Sequence, residues 1–188
     1  MFIHVTNMEM KITETFVLSE FYKALHDFLL EDGYAKGDDK DFPEYYYYES
    51  RTQAAGKELW IWWRCSKGTD TPFAEKYIDI DLHGVGIKDV EMMYQGKKIK
   101  ANKGKIELIL RGSLEVDPGD KWKNSKLGFL RDAFLYRWWH HELEKHKEDC
   151  VKDIKKVRAY EADFMNKPVA QLTTDSFYPR RGYERENF

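Results

Sequence analysis

The sequence predicts an α+β fold: a mainly antiparallel sheet of five or six strands, with one short N-terminal helix and a long C-terminal helix. Three observations lead there. Tyr77-Ile-Asp-Ile-Asp-Leu-His83 alternates apolar and polar residues strictly, which is the pattern of a half-buried strand. Leu18, Phe21, Tyr22, Leu25, Phe28 and Leu29 recur at spacings of three and four, as one face of a helix does. After the turn Asp117-Pro-Gly-Asp120, the stretch from about Ser125 to Met165 has no proline and, past Gly128, no glycine, so it reads as one long helix or two nearly continuous ones.

Taken in order, residues 11–18 alternate loosely and are rich in β-branched residues, which suits a strand. Ser19 is placed to cap the helix that follows, and Gly33 to stop it. An acidic, turn-rich loop over 35–44 leads into four consecutive tyrosines, Tyr45 to Tyr48, with high strand propensity. Gln53-Ala-Ala-Gly56 reads as a turn into the strand Lys57 to Cys65. There Leu59, Ile61, Trp63 and Cys65 share one face, and Glu58, Trp60, Trp62 and Arg64 share the other. Both faces are apolar enough to predict cover on each side. The opening strand, about Phe73 to His83, meets Gly84-Val-Gly86, which reads as a bulge or a turn before a further strand at Val90 to Tyr94. Ile106 to Val116 is the last strand.

Within the long helix, Leu127, Leu130, Phe134, Leu135, Trp138 and Trp139 are expected to cover a sheet face. Beyond them runs only a thin seam of Leu143, Cys150, Val157 and Phe164 at seven-residue steps, with Ile154 beside it. So narrow a seam predicts a projecting helix that binds a partner or a second copy. Residues 167–188 carry two prolines and no period, and read as a flexible tail. The organisation expected is thus one domain: 1–120 as the sheet section, 121–166 as the long helix, 167–188 as the tail.

At 188 residues the chain can bury one sizeable core, and 42% hydrophobic with 34% charged residues describes a globular protein with a large polar surface. Net charge is only −2, but it is uneven: residues 9–50 are net acidic, and Lys97, Lys98, Lys100, Lys103 and Lys105 form a basic cluster. Cys65 and Cys150 match no metal or redox spacing, and no apolar run can span a bilayer, so the expectation is a cytoplasmic protein without a membrane partner.

Three groupings carry candidate chemistry. Asp79, Asp81 and His83 lean the same way from one strand and offer oxygen and nitrogen donors to a divalent metal, the one cofactor the sequence admits. If the neighbouring strands are in register, Trp60, Trp62, Arg64 and Arg111 with Glu107 complete a ligand-binding face, and cross-strand ion pairs are the plainer outcome. His140-His-Glu-Leu-Glu-Lys-His146 departs from the zinc-protease helix motif, since Lys145 stands where the second histidine is required. The lysine cluster lacks the phosphate-loop pattern and sits in a net-acidic chain, which disfavours nucleic acid as a partner. No Ser, His and Asp grouping has a nucleophile context.

The stretches Gly56-Lys-Glu-Leu-Trp-Ile-Trp-Trp-Arg64, Tyr77 to His83 and Gln95-Gly-Lys-Lys-Ile-Lys-Ala-Asn-Lys-Gly104 resemble a group of archaeal proteins of unknown function. That resemblance covers the sheet region and implies no activity. The element order is similar to the helix-grip arrangement, in which a curved sheet wraps the last helix around an apolar cavity; this is likeness of fold alone. The sequence therefore favours a non-enzymatic interaction or scaffold protein, working through the long helix, the tail and the aromatic sheet face. The alternative is a small-molecule binder on the polar sheet face, assisted by a metal.

Overall fold

The alternating stretches form five strands and the two periodic ones form helices, in the order β1 (Phe2–Phe16), α1 (Leu18–Glu31), β2 (Glu44–Thr52), β3 (Gly56–Gly68), β4 (Ala74–Tyr94), β5 (Lys97–Val116) and α2 (His140–Asn166). This is a computed structural model, and it describes residues 1–35, 42–52, 56–94 and 97–166. The tail 167–188, most of the acidic loop and the predicted turn at 53–55 lie outside the described residues. All strands pair antiparallel in one sheet of order β1-β5-β4-β3-β2, so the fold class is α+β. Among the described residues no helix is long and apolar enough to cross a membrane.

Period-two alternation sends Leu59, Ile61, Trp63 and Cys65 of β3, Ile78, Ile80 and Leu82 of β4, and Ile106, Leu108 and Leu110 of β5 to one face. Phe21, Leu25 and Leu29 of α1 and Ile154 and Val157 of α2 cover that face. Each such side chain stabilises the fold by about 1.5–3 kcal/mol. A second cluster at the sheet end joins Ala74, Leu114 and Val116 to Leu135, Trp139 and Leu143. Both helices thus lie on the same side. The expected cover on the other face of β3 is not found among the described elements: Trp60, Trp62 and Arg64 remain partly exposed there.

The strands outrun their sequence signals. β1 begins at Phe2, where Met8 and Met10 carry little strand propensity, because Met8 and Met10 sit opposite Leu110 and Leu108 on the core face. Gly84-Val-Gly86 is a bulge within a single 21-residue β4, where pairing with β5 shifts between Val85 and Lys88. Ile87 explains its glycine: a Cβ on Gly84 would lie 2.6 Å from Ile87 Cδ1, and one on Gly104 opposite would lie 2.8 Å from Ile87 Cα. Helix α1 starts one residue before Ser19 and takes its cap from elsewhere, the Leu18 N–H donating to Asn102 Oδ1 of β5 at 3.1 Å. Gly33, at φ +76°, ends it as expected.

The long helix is shorter than its composition predicts. After β5 come a 3₁₀ turn at Pro118–Asp120 and a short irregular helical stretch from Gly128 that ends in a π turn at Phe134–Trp138, and regular helix begins only at His140. The apolar residues of the run do not share one helical stripe, and packing on one sheet can bury only one stripe of it. Leu135 and Trp139 are buried, whereas Leu127, Leu130 and Trp138 stay exposed.

Helix α2 does not project. Leu143, Cys150, Ile154 and Val157 are buried on the sheet, and the Phe164 ring packs on Phe21 at 5.8 Å. These five residues therefore complete this chain's own core and are not the partner surface that their spacing suggests. The seam looks thin because three polar residues share it: His146, Asp153 and Glu161 are buried on the same face. Gly112 of β5 lets the helix approach, since a Cβ there would lie 3.0 Å from Cys150 Sγ and 3.1 Å from Ile154 Cγ1.

Candidate functional site

Register places the predicted face residues side by side. Trp62 pairs with Asp81, Trp60 with His83 and Arg64 with Asp79 across β3 and β4; Asp79 pairs with Arg111 and His83 with Glu107 across β4 and β5. Tyr46 and Tyr48 of β2 extend the same rows, opposite Trp62 and Trp60. All of these side chains leave the sheet on the face away from α1 and α2.

The centre of this face is an ion-pair network. Arg64 Nη1 donates to Asp81 Oδ1 at 2.7 Å, and Arg111 Nη2 donates to Asp81 Oδ2 from the other flanking strand. Arg64 Nε also lies 3.9 Å from Asp79 Oδ1, and its guanidinium sits over the Trp62 ring at 5.8 Å. Partial burial pushes the Asp79 carboxyl above its usual range, with Arg64 and Arg111 opposing that shift and Asp81 adding to it.

Aromatic rings flank the network. His83 stacks on Trp60 with centroids 3.6 Å apart, while its Nε2 lies 3.3 Å from Glu58 Oε1 and its Nδ1 3.8 Å from Glu107 Oε2. Trp60 Nε1 donates to the same Glu58 oxygen at 3.2 Å. Tyr46 packs on Trp62 at 4.6 Å and lies parallel to Tyr48 at 6.4 Å. From the row of Glu75 and Glu115 to that of Lys105, the face carries Glu9, Glu58, Glu75, Asp79, Asp81, Glu107 and Glu115 against Lys11, Arg64, Lys105 and Arg111. It is therefore an aromatic face with an excess of negative charge.

The metal reading of Asp79, Asp81 and His83 does not fit this geometry. Both oxygens of Asp81 are taken by guanidinium groups, whose charge opposes a divalent cation, and His83 turns toward Trp60 and two glutamates. Among the described residues no cluster of three or more His, Cys, Asp or Glu side chains could hold a metal ion. His140 and His141 are exposed while His146 is buried, so the helix histidines share no site either. The described lysines of the basic cluster lie along the β4–β5 hairpin, with Lys98 4.0 Å from Glu91 and Lys105 2.7 Å from Glu107.

Two features escape sequence reasoning. Tyr46 and Tyr48 join the face only because β2 pairs with β3 in this register. Beneath the sheet, Asp153 Oδ2 accepts from Tyr34 Oη at 2.7 Å and from Lys76 Nζ at 2.6 Å. Burial alone would raise the Asp153 carboxyl, but the Lys76 and Tyr34 hydrogen bonds outweigh it and hold the group below its ordinary value. No local signal joins three residues so far apart in the chain. Burial also pushes the thiols up, Cys65 to about 12 and Cys150 to about 11, so both are structural rather than nucleophilic.

Comparison with family models, with curated proteins and with solved structures gives no match, so no activity or ligand comes to this chain from a relative.

Proposed function

We propose that this chain is a non-enzymatic interaction protein that engages a cationic segment of another macromolecule through the open face of its sheet. The observation that carries the reading is the row Tyr48, Tyr46, Trp62 and Trp60 beside the half-exposed Glu58, on a net-acidic face that no described helix covers. Flat aromatic rings supply contact area at low entropy cost, and surplus carboxylates attract arginine or lysine, which also stack on indole. The same surplus repels a phosphate backbone, which counts against nucleic acid. A small-molecule ligand remains the second reading on the same residues, favoured by the His83–Trp60 stack, and without a metal.

The test is a fluorescence-polarisation titration with a labelled peptide alternating arginine and tyrosine. Saturable binding that weakens with salt, and is lost when Trp60→Ala and Trp62→Ala are combined, supports the reading. Binding that survives both substitutions, or none at low salt, sinks it.

A further inference from the structure

A second site lies away from that face and does not depend on it. Between the start of β1 and one flank of α2 runs a groove of about 610 Å³. Its apolar lining comes from Ile3 and Val5 of β1 and Val151 of α2, all half-buried. Lys147, Lys152 and Lys155 stand along the helix side. The strand side is an edge: β1 is the last strand in the sheet order, so among the described residues no strand pairs with its outer side.

We propose that this groove binds an extended peptide segment whose α2-facing side chains, at every second residue, include both apolar and acidic ones, adding a strand to the free edge of β1. An unpaired strand beside a helix offers main-chain hydrogen bonds on one wall and side-chain contacts on the other. The volume is within the range of ligand sites. Lys147 and Lys155 are separated by about 12 Å of helix, which is the reach of three or four extended residues. The register shift between His4 and Thr6 ends regular pairing geometry there, so the added strand is short.

Charge selects the occupant. Lys155 makes no ion pair with any described residue, while Lys147 and Lys152 have only helical partners, Glu144 at 2.8 Å and Asp149 at 2.9 Å, which solvent screens. Among the described residues Glu148 is the one carboxylate in the lining, against three lysines. Pairing β1 with β1 of a second copy would bring two sets of these lysines together, so a copy of this chain is the disfavoured partner.

Random dodecapeptides displayed on phage, selected on the full chain and then resynthesised with a fluorophore, test the site. The expected result is enrichment of apolar and Asp or Glu residues at every second position, with affinity falling about tenfold or more in Val151→Glu and in Lys155→Glu, a loss of about 1.4 kcal/mol or more. Methylating alternate peptide amides should weaken binding as much, and the peptide should slow hydrogen exchange at residues 3–5. Both substitutions are on partly or fully exposed positions, and thermal melts establish that each variant folds. No enrichment of acidic peptides, native affinity for them in both variants, or indifference to methylation would overturn the proposal.

Discussion

Arg64 and Arg111 stand on opposite sides of β4 and donate to the two oxygens of one carboxylate, that of Asp81. The three strands β3, β4 and β5 are thereby tied on their open face by a single side chain. Substituting Asp81→Ala should destabilise the fold by about 1 kcal/mol, a modest figure because water reaches all three groups. Urea denaturation reads the change, and the same melts should show no stabilisation by millimolar manganese or zinc in the native protein.

The tryptophans of β3 separate face from core. Trp63 is 2% exposed and donates to Glu44 at 3.2 Å, so Trp63→Ala should cost about 3–5 kcal/mol. Trp62→Ala, one residue away on the open face, should cost well under half as much. Equal losses in chemical denaturation would mean that the open face is packed as tightly as the core.

Among the described residues Glu161 has no hydrogen-bond partner on either carboxylate oxygen, and it is fully buried, so desolvation holds its carboxyl well above the ordinary 4.5. A folded state that keeps a proton the unfolded chain releases loses stability as pH rises from about that ordinary value. Glu161→Gln should therefore flatten the fall in stability between acid and neutral pH, as measured by melts across that range. A variant with the native slope would refute the assignment.

Asp153 has the opposite sign. Held below its ordinary 3.8 by Lys76 and Tyr34, it contributes stability above that value, and the contribution is lost as pH falls through the folded value. Tyr34→Phe should cost about 1.5–3 kcal/mol, the worth of a hydrogen bond to a charged group, and Lys76→Met more than Tyr34→Phe, because among the described residues it leaves the buried carboxylate only one cation, the exposed Lys156, 3.4 Å from Oδ1. Acid denaturation midpoints should converge when Asp153→Asn is added to either variant.

At Gly112, an added methyl meets Cys150 and Ile154. Gly112→Ala should cost about 1–3 kcal/mol by overpacking, and Cys150→Ala in the same chain should recover part of that loss. Strict additivity of the two substitutions would show that α2 is not held at this contact.

How much of this was legible in the residues follows from what each pattern encodes. The Tyr77–His83 alternation predicted both its buried side and its neighbours' chemistry, because a strand's faces are set by parity alone. Gly33 predicted the end of α1 by its backbone freedom. The burial of α2 was hidden because His146, Asp153 and Glu161 interrupt the apolar stripe, and their fit in the core depends on distant partners or on a retained proton, which no local spacing records. The metal reading failed on a similar point: Asp79 and Asp81 do share a face with His83, but only register reveals that Arg64 and Arg111 reach the carboxylate first.

The sheet order β1-β5-β4-β3-β2 also governs when each part can assemble. Three of its four pairings join strands adjacent in sequence, whereas β1 must wait for β5, the last strand to be made. Hairpins β2–β3, β3–β4 and β4–β5 can close within microseconds of leaving the ribosome, while β1 and the Leu18 amide capped from Asn102 have no partner until then. Docking of β1 is the long-range pairing with the highest loop-closure cost, and pairings of this kind slow folding. Until it happens, the apolar side of β1 and the edge of β5 are both uncovered, which makes the nascent chain most prone to strand exchange with its neighbours in that interval.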